Sequence, residues 1–107
     1  MKVQFDGDEV RVRLTRAEFD SLRDGARLRV RLDWPRGAWS LAVAVADAFA
    51  LNGEGGDVDV VLPRADLDDL ASRLPARDGL HYMVDRPDGA LALRIEVDLH
   101  DGRARRR

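Results

Sequence analysis

Two stretches decide how this chain folds: VRVRLTRAEFDSL at Val10–Leu22 and VDVVLPRADLDDL at Val58–Leu70. They lie 48 positions apart and agree at seven of thirteen positions. In each, apolar residues recur at every second place (Val10, Val12, Leu14; Val58, Val60, Leu62), the period of a strand with one buried face. A helix start follows. Thr15 stands three residues before Glu18, the spacing of a capping box, and Pro63 suits a first helical position because its missing N–H would be unpaired there anyway. Phe19 with Leu22, and Leu67, Leu70, Ala71 with Leu74, then fall on single helix faces.

Upstream, Val3 and Phe5 alternate with polar neighbours before Asp6-Gly7-Asp8, which predicts a hairpin with the Val10 strand. Downstream, Leu28, Val30 and Leu32 oppose Arg27, Arg29 and Arg31, and the run ends at the turn-forming Pro35-Arg36-Gly37. After a four-residue insertion the similarity resumes at an offset of 52, where Asp33, Pro35, Gly37 and Ala38 return as Asp85, Pro87, Gly89 and Ala90. Leu80, Tyr82 and Val84 form the matching strand, and Leu91 to Leu99 the return strand. The Ala-rich segment 38–52 ends in Asn-Gly and competes as a helix. Trp39, Leu41, Val43 and Val45 alternate there with serine and alanine, as Leu91, Leu93, Ile95 and Val97 alternate in the second copy, so a strand with a bend near Asp47 is expected. Asn52 to Gly56 is expected to be a loop.

Each unit is thus β-β-α-β-β, too small to cover both faces of its own strands. The expected fold is α+β and mostly β: internally duplicated units closing about a pseudo-twofold into a barrel-like antiparallel sheet, with two short helices over its openings. Residues 1–100 form a single domain, with unit one about 1–46 and unit two about 47–100. Residues 101–107, with Arg103, Arg105, Arg106 and Arg107, are expected to be a disordered tail.

At 107 residues the chain can bury a core of its own, and the absence of cysteine excludes disulfides, thiolate metal sites and a cysteine nucleophile. Without a long apolar run or a leader pattern, a cytoplasmic protein with no membrane span is expected. The net charge of −2 conceals an asymmetry: residues 1–46 carry nine basic against seven acidic side chains, and residues 47–100 five against twelve. Such polarity suits either an acidic recognition surface or two lobes that compensate each other.

Arg11, Arg13, Arg27, Arg29 and Arg31 all fall on outward positions of unit one, and if their strands are close they form an anion or nucleic-acid face. Against this, alternating arginines are the ordinary solvated side of a half-buried sheet, paired across strands with Asp57, Asp59 or Glu96, and this is preferred. Ala42, Ala44 and Ala46 form a small-residue stripe expected beneath a helix. If exposed, it becomes a self-association surface together with Trp34 and Trp39. The glycines of 52–56 precede a strand rather than a helix and carry Glu54, so no phosphate cradle is expected there. Asp66, Asp68 and Asp69 stabilise the start of the second helix rather than hold a metal. His81 is expected on the exposed side and His100 at a frayed end. No nucleophile motif accompanies either, so no enzyme, cofactor or metal is expected.

The β-β-α-β-β order, with Val60-Val61-Leu62-Pro63, a short helix and an Asp-rich hairpin near residue 85, resembles the swapped-hairpin domain of AbrB-type transition-state regulators. That resemblance implies paired units and DNA binding. Met1-Lys2-Val3, Val10 to Thr15, Phe49-Ala50-Leu51, Leu62-Pro63 and Leu93 to Val97 resemble a family of short bacterial proteins with no established activity. This chain lacks the cysteine that family often carries near its C-terminus. The function expected is a noncatalytic binding or assembly module with an unknown protein partner, a homodimer being one form. The alternatives are a nucleic-acid binder, which is not favoured, and a ligand site or enzyme at the barrel mouth.

Overall fold

The computed structural model describes residues 1–98. The chain runs β1 (Lys2–Asp6), β2 (Glu9–Leu14), α1 (Arg16–Arg23), β3 (Leu28–Trp34), β4 (Gly37–Ala46), β5 (Ala50–Glu54), β6 (Asp57–Pro63), α2 (Arg64–Arg73), β7 (Leu80–Arg86) and β8 (Gly89–Val97). Segment 39–51 is extended on both sides of a break at residues 47–49, as its alternation predicts.

The strands form two four-stranded mixed sheets, ordered β1-β2-β8-β7 and β3-β4-β6-β5. The expected barrel-like antiparallel sheet is therefore corrected: the described strands form two mixed sheets and no closed barrel. Hairpin neighbours are antiparallel, but β2 runs parallel to β8 and β4 parallel to β6. Alternation dictates which face a residue takes and is silent about which strand lies alongside. The two central strands of each sheet come from opposite halves of the chain. Residues 2–46 and 50–97 share the order β-β-α-β-β, and the spans of β1 to β4 map onto those of β5 to β8 at offsets of 48 and then 52.

The core is built from these central strands. Val12 and Leu14, Leu41 and Val43, Val60 and Leu62, and Leu93, Ile95 and Val97 are buried with Phe19, Leu22, Leu67 and Leu70 from the helices. The outer strands β1, β3, β5 and β7 contribute only partly buried apolar residues, among them Val3, Val30, Leu51 and Tyr82.

Local chemistry explains the helices. Thr15 Oγ1 accepts from the Glu18 N–H at 3.0 Å and Glu18 Oε1 accepts from the Thr15 N–H at 2.9 Å, completing the expected capping box. The Met1 ammonium also donates to Glu18. At the other end Gly25 N–H donates to Leu22 O and Ala26 N–H to Ser21 O, both at 3.0 Å. This Schellman closure requires the left-handed backbone that Gly25 supplies at φ 103°. Pro63 ends β6 and sits at the N-cap of α2, one place earlier than its sequence suggests. Asn52 to Glu54 belong to β5, so the expected loop shrinks to the turn at Gly55-Gly56.

A brace crosses between elements near the break. Phe49 stacks on Tyr82 with ring centroids 4.2 Å apart and planes 8° from parallel. The Tyr82 hydroxyl donates to Asp66 Oδ2 on α2 at 2.6 Å. Burial first, then that hydrogen bond and the Asp66 charge, push the phenol well above its ordinary pKa.

Candidate anion groove

The five arginines singled out on unit one do not form one face. Arg11 and Arg13 lie on β2 in the first sheet, whereas Arg29 and Arg31 lie on β3 in the second, with Arg27 just before it. Sequence adjacency of the two runs suggested a shared surface, but α1 intervenes and delivers β3 to the other sheet.

On the second sheet the basic side chains are largely neutralised. Arg27 Nη2 pairs with Asp59 Oδ1 at 2.6 Å and Arg31 Nε with Asp33 Oδ1 at 2.9 Å. Arg29 has no partner among the described residues. Asp57 accepts from the Ser40 hydroxyl at 2.8 Å, and Ser40 is buried.

Ala42 also belongs to this outer face, because its register neighbours are Arg29 and Asp59. The expectation that a helix covers the Ala42, Ala44, Ala46 stripe is therefore corrected. Ala42 is buried under polar neighbours, Ala44 is half-buried and Ala46 exposed. Inward neighbours Leu41 and Val43 carry the core contacts instead. Trp34 and Trp39 occupy the opposite face, so the proposed self-association set is divided. Trp34 pairs in register with Gly37 and its indole lies over that glycine. Trp39 meets Phe5 edge-on at 5.1 Å. Phe5, Leu32 and Trp34 are each at least half exposed at these hairpin ends.

The first sheet is where charge converges. Gln4, Arg11, Arg94 and His81 are successive register neighbours across β1, β2, β8 and β7, and the next row runs Lys2, Arg13, Glu96. Register partners on adjacent strands point to the same face of a sheet, so these side chains all stand on the outer side. The connection from α2 to β7 adds Ala76 and Arg77. Together Arg11, Arg13, Ala76, Arg77, Glu96 and Asp98 line an open groove of about 410 Å³. Arg77, Asp78, His81, Arg94 and Glu96 line an adjoining hollow of about 290 Å³.

The groove's own carboxylates fit it poorly. Glu96 stands 3.6 Å from Arg11 Nε and 3.5 Å from Arg13 Nη2. Glu9 stands 3.4 Å from Arg11 Nη2 and 3.5 Å from Arg94 Nε. Well-formed charge-assisted bonds of this kind are about 2.7–2.9 Å. The Nε atoms of Arg11 and Arg94 are buried without a hydrogen-bond partner. Arg77 is exposed and has no partner among the described residues. The equivalent place on the second sheet holds Asp59 and Val61 beside Ala42 and Ala44, so the arginine cluster is not repeated there.

Sequence reasoning found Arg11 and Arg13 and the pairing of outward arginines with Asp59 and Glu96. It missed Arg77 and Arg94. The alternation of β8 does place Arg94 outward, but nothing in the sequence shows that β8 lies beside β2.

Two further ion pairs link the helices and their turns. Asp68 pairs with Arg23 at 2.9 Å, tying the two helices together, and Asp69 pairs with Arg73 at 3.0 Å within α2. No group of potential ligands among the described residues is arranged to hold a metal. No helix among them is long and apolar enough to cross a membrane. His81 is exposed, as its parity predicts. His100, Leu99 and the Arg-rich segment 101–107 lie outside the described residues. No family model, curated protein or solved structure matches the chain.

Proposed function

We propose that this chain is a noncatalytic binding module whose recognition surface is the outer face of its first sheet, where it takes an anionic group presented by a partner. The observation that carries this is the convergence of Arg11, Arg13, Arg77 and Arg94 around Glu96. Arginine suits the task because it stays charged and presents several donors in a fixed plane. Strands hold three of the four, so the groove is preorganised by the sheet.

The frame supports an internal duplication related by an approximate twofold, with hairpins exchanged between the halves. Matching element spans and the mirrored strand orders favour that origin. Exchange of hairpins is also what the likeness to AbrB-type units leads one to expect. A nucleic-acid interface is less well supported, because the arginines of the second sheet are largely paired with aspartates.

The test is retention on phosphocellulose at low ionic strength. A chain with net charge −2 should flow through a cation exchanger unless a local basic patch holds it. The expected result is retention that is lost in Arg77→Glu and reversed by modest salt. Both proteins keep the Arg-rich C-terminus, so a difference between them belongs to the groove. Equal behaviour of the two would remove the proposal.

A further inference from the structure

Resting on the binding surface just proposed, we infer that the group the groove takes is a phosphate monoester, a compact tetrahedral dianion, in preference to a carboxylate or a phosphodiester strand.

The first argument is geometric. Four guanidinium groups border two adjoining hollows that share Arg77 and Glu96. A carboxylate has two oxygens in one plane and satisfies one arginine fork well. Glu96 illustrates the limit: it is shared between Arg11 and Arg13 and reaches neither closer than 3.5 Å. A phosphoryl group offers three terminal oxygens on a tetrahedron, so it can accept from arginines approaching from different directions.

The second argument is charge. The two hollows already contain the carboxylates of Glu96, Asp98 and Asp78, with Glu9 beside them. An incoming anion must displace or outbid them. A monoester carries about −1.5 to −2 at neutral pH, whereas a carboxylate or a diester carries one charge. Arg77, which has no partner among the described residues, can swing onto the ligand without breaking an existing pair.

The third argument is extent. A nucleic-acid strand needs a continuing basic track for its successive phosphates. Along this face the groove is followed by Asp6 and Glu9 at one end of the β1–β2 hairpin and by Asp85 on β7. These carboxylates repel a second and third phosphate while leaving room for one.

Calorimetric titration of the full chain with phenyl phosphate, phenylacetate and a short oligothymidylate tests the inference. Phenyl phosphate should bind about tenfold more tightly than either of the others, the weight of one extra charge-assisted hydrogen bond. Arg77→Ala and Arg94→Ala should each weaken it by about tenfold. Arg77→Ala is the cleaner variant because that side chain is exposed and has no hydrogen bond or ion pair among the described residues, and circular dichroism checks that both remain folded. Equal or tighter binding of phenylacetate or of the oligonucleotide, or binding indifferent to Arg77→Ala, overturns the phosphate assignment, while retention on phosphocellulose that is lost in Arg77→Glu decides separately whether the anion surface stands. If none of the three binds and phosphocellulose does not retain the protein, the surface itself is wrong.

Discussion

Arg27 and Asp59, 32 positions apart in the chain, meet at 2.6 Å across the outer face of β4. Arg27 stands just before β3 and Asp59 on β6, with β4 between them, so the arginine arm spans a whole strand. Ala42, the register neighbour of Asp59, is 2 % exposed beneath such flanking side chains. Small residues on β4 are thus explained by a polar bridge above them rather than by a helix. Both partners remain about half exposed, so the pair is worth little by itself. A double-mutant cycle with Arg27→Ala and Asp59→Ala should give a coupling of about 0.2–1 kcal/mol that shrinks as salt is raised. Coupling well above that range would show a more desolvated bridge than this one.

Leu14 and Leu62 are fully buried at equivalent places on β2 and β6, in different sheets but one cluster. Leu14→Ala and Leu62→Ala should each cost about 2–5 kcal/mol, a large part of the roughly 5–15 kcal/mol that holds a domain of this size. Urea unfolding of either variant should remain a single transition by fluorescence and by circular dichroism. Two separated transitions would show that the halves hold independent cores.

Tyr82 is the chain's one tyrosine, so absorbance near 295 nm reports it alone. Its raised pKa means the folded state keeps the phenolic proton that the unfolded chain loses near its ordinary value of 10.0. The stabilisation is therefore complete below that pH and declines as alkalinity increases. The expected titration shows no phenolate until unfolding releases it. Tyr82→Phe should abolish this alkaline contribution, and a phenolate signal at pH 10 in the folded protein would contradict the burial and the Asp66 hydrogen bond that together raise it.

Glu18 titrates in the opposite sense. Burial on its own would raise its pKa, but hydrogen bonds from the Met1 ammonium and the Thr15 N–H, the ammonium's charge and the Thr15 hydroxyl together lower it below 4.5. Its contribution is present above that value and is lost as the pH falls through the lowered one. Glu18→Gln should lower the melting temperature at neutral pH and leave it nearly unchanged at strongly acidic pH. An equal deficit at both would mean the carboxylate's charge is irrelevant to the cap.

Much of this fold was legible because the signals are local. The Thr15/Glu18 box, the break at Gly25 and the alternation of Leu28 to Leu32 each act within a few residues, and each element appears where they place it. Segment 38–52 was resolved by comparing its alternation with that of Leu91 to Val97, which outweighed the helix propensity of its alanines. What stayed hidden was long-range. No local signal states that β2 lies parallel to β8, 83 positions away between Arg13 and Glu96. With that neighbour unknown, Arg94 and Arg77 could not be brought to Arg11, and Arg27 to Arg31 were grouped with the wrong strand.

The parallel seams also govern how the molecule comes to exist. A nascent chain that has emerged only as far as Ala46 owns β2 and β4 but neither β8 nor β6, so each strand waits with one side bare. Such edges invite pairing with foreign strands. Closure of the first sheet must await β8, whose Glu96 lies 83 positions after Arg13 of β2, a costly arrangement for loop entropy and a slow one for folding. For the same reason a proteolytic nick at Asp47–Ala48 would leave two fragments that persist only as a complex, because neither possesses a whole sheet.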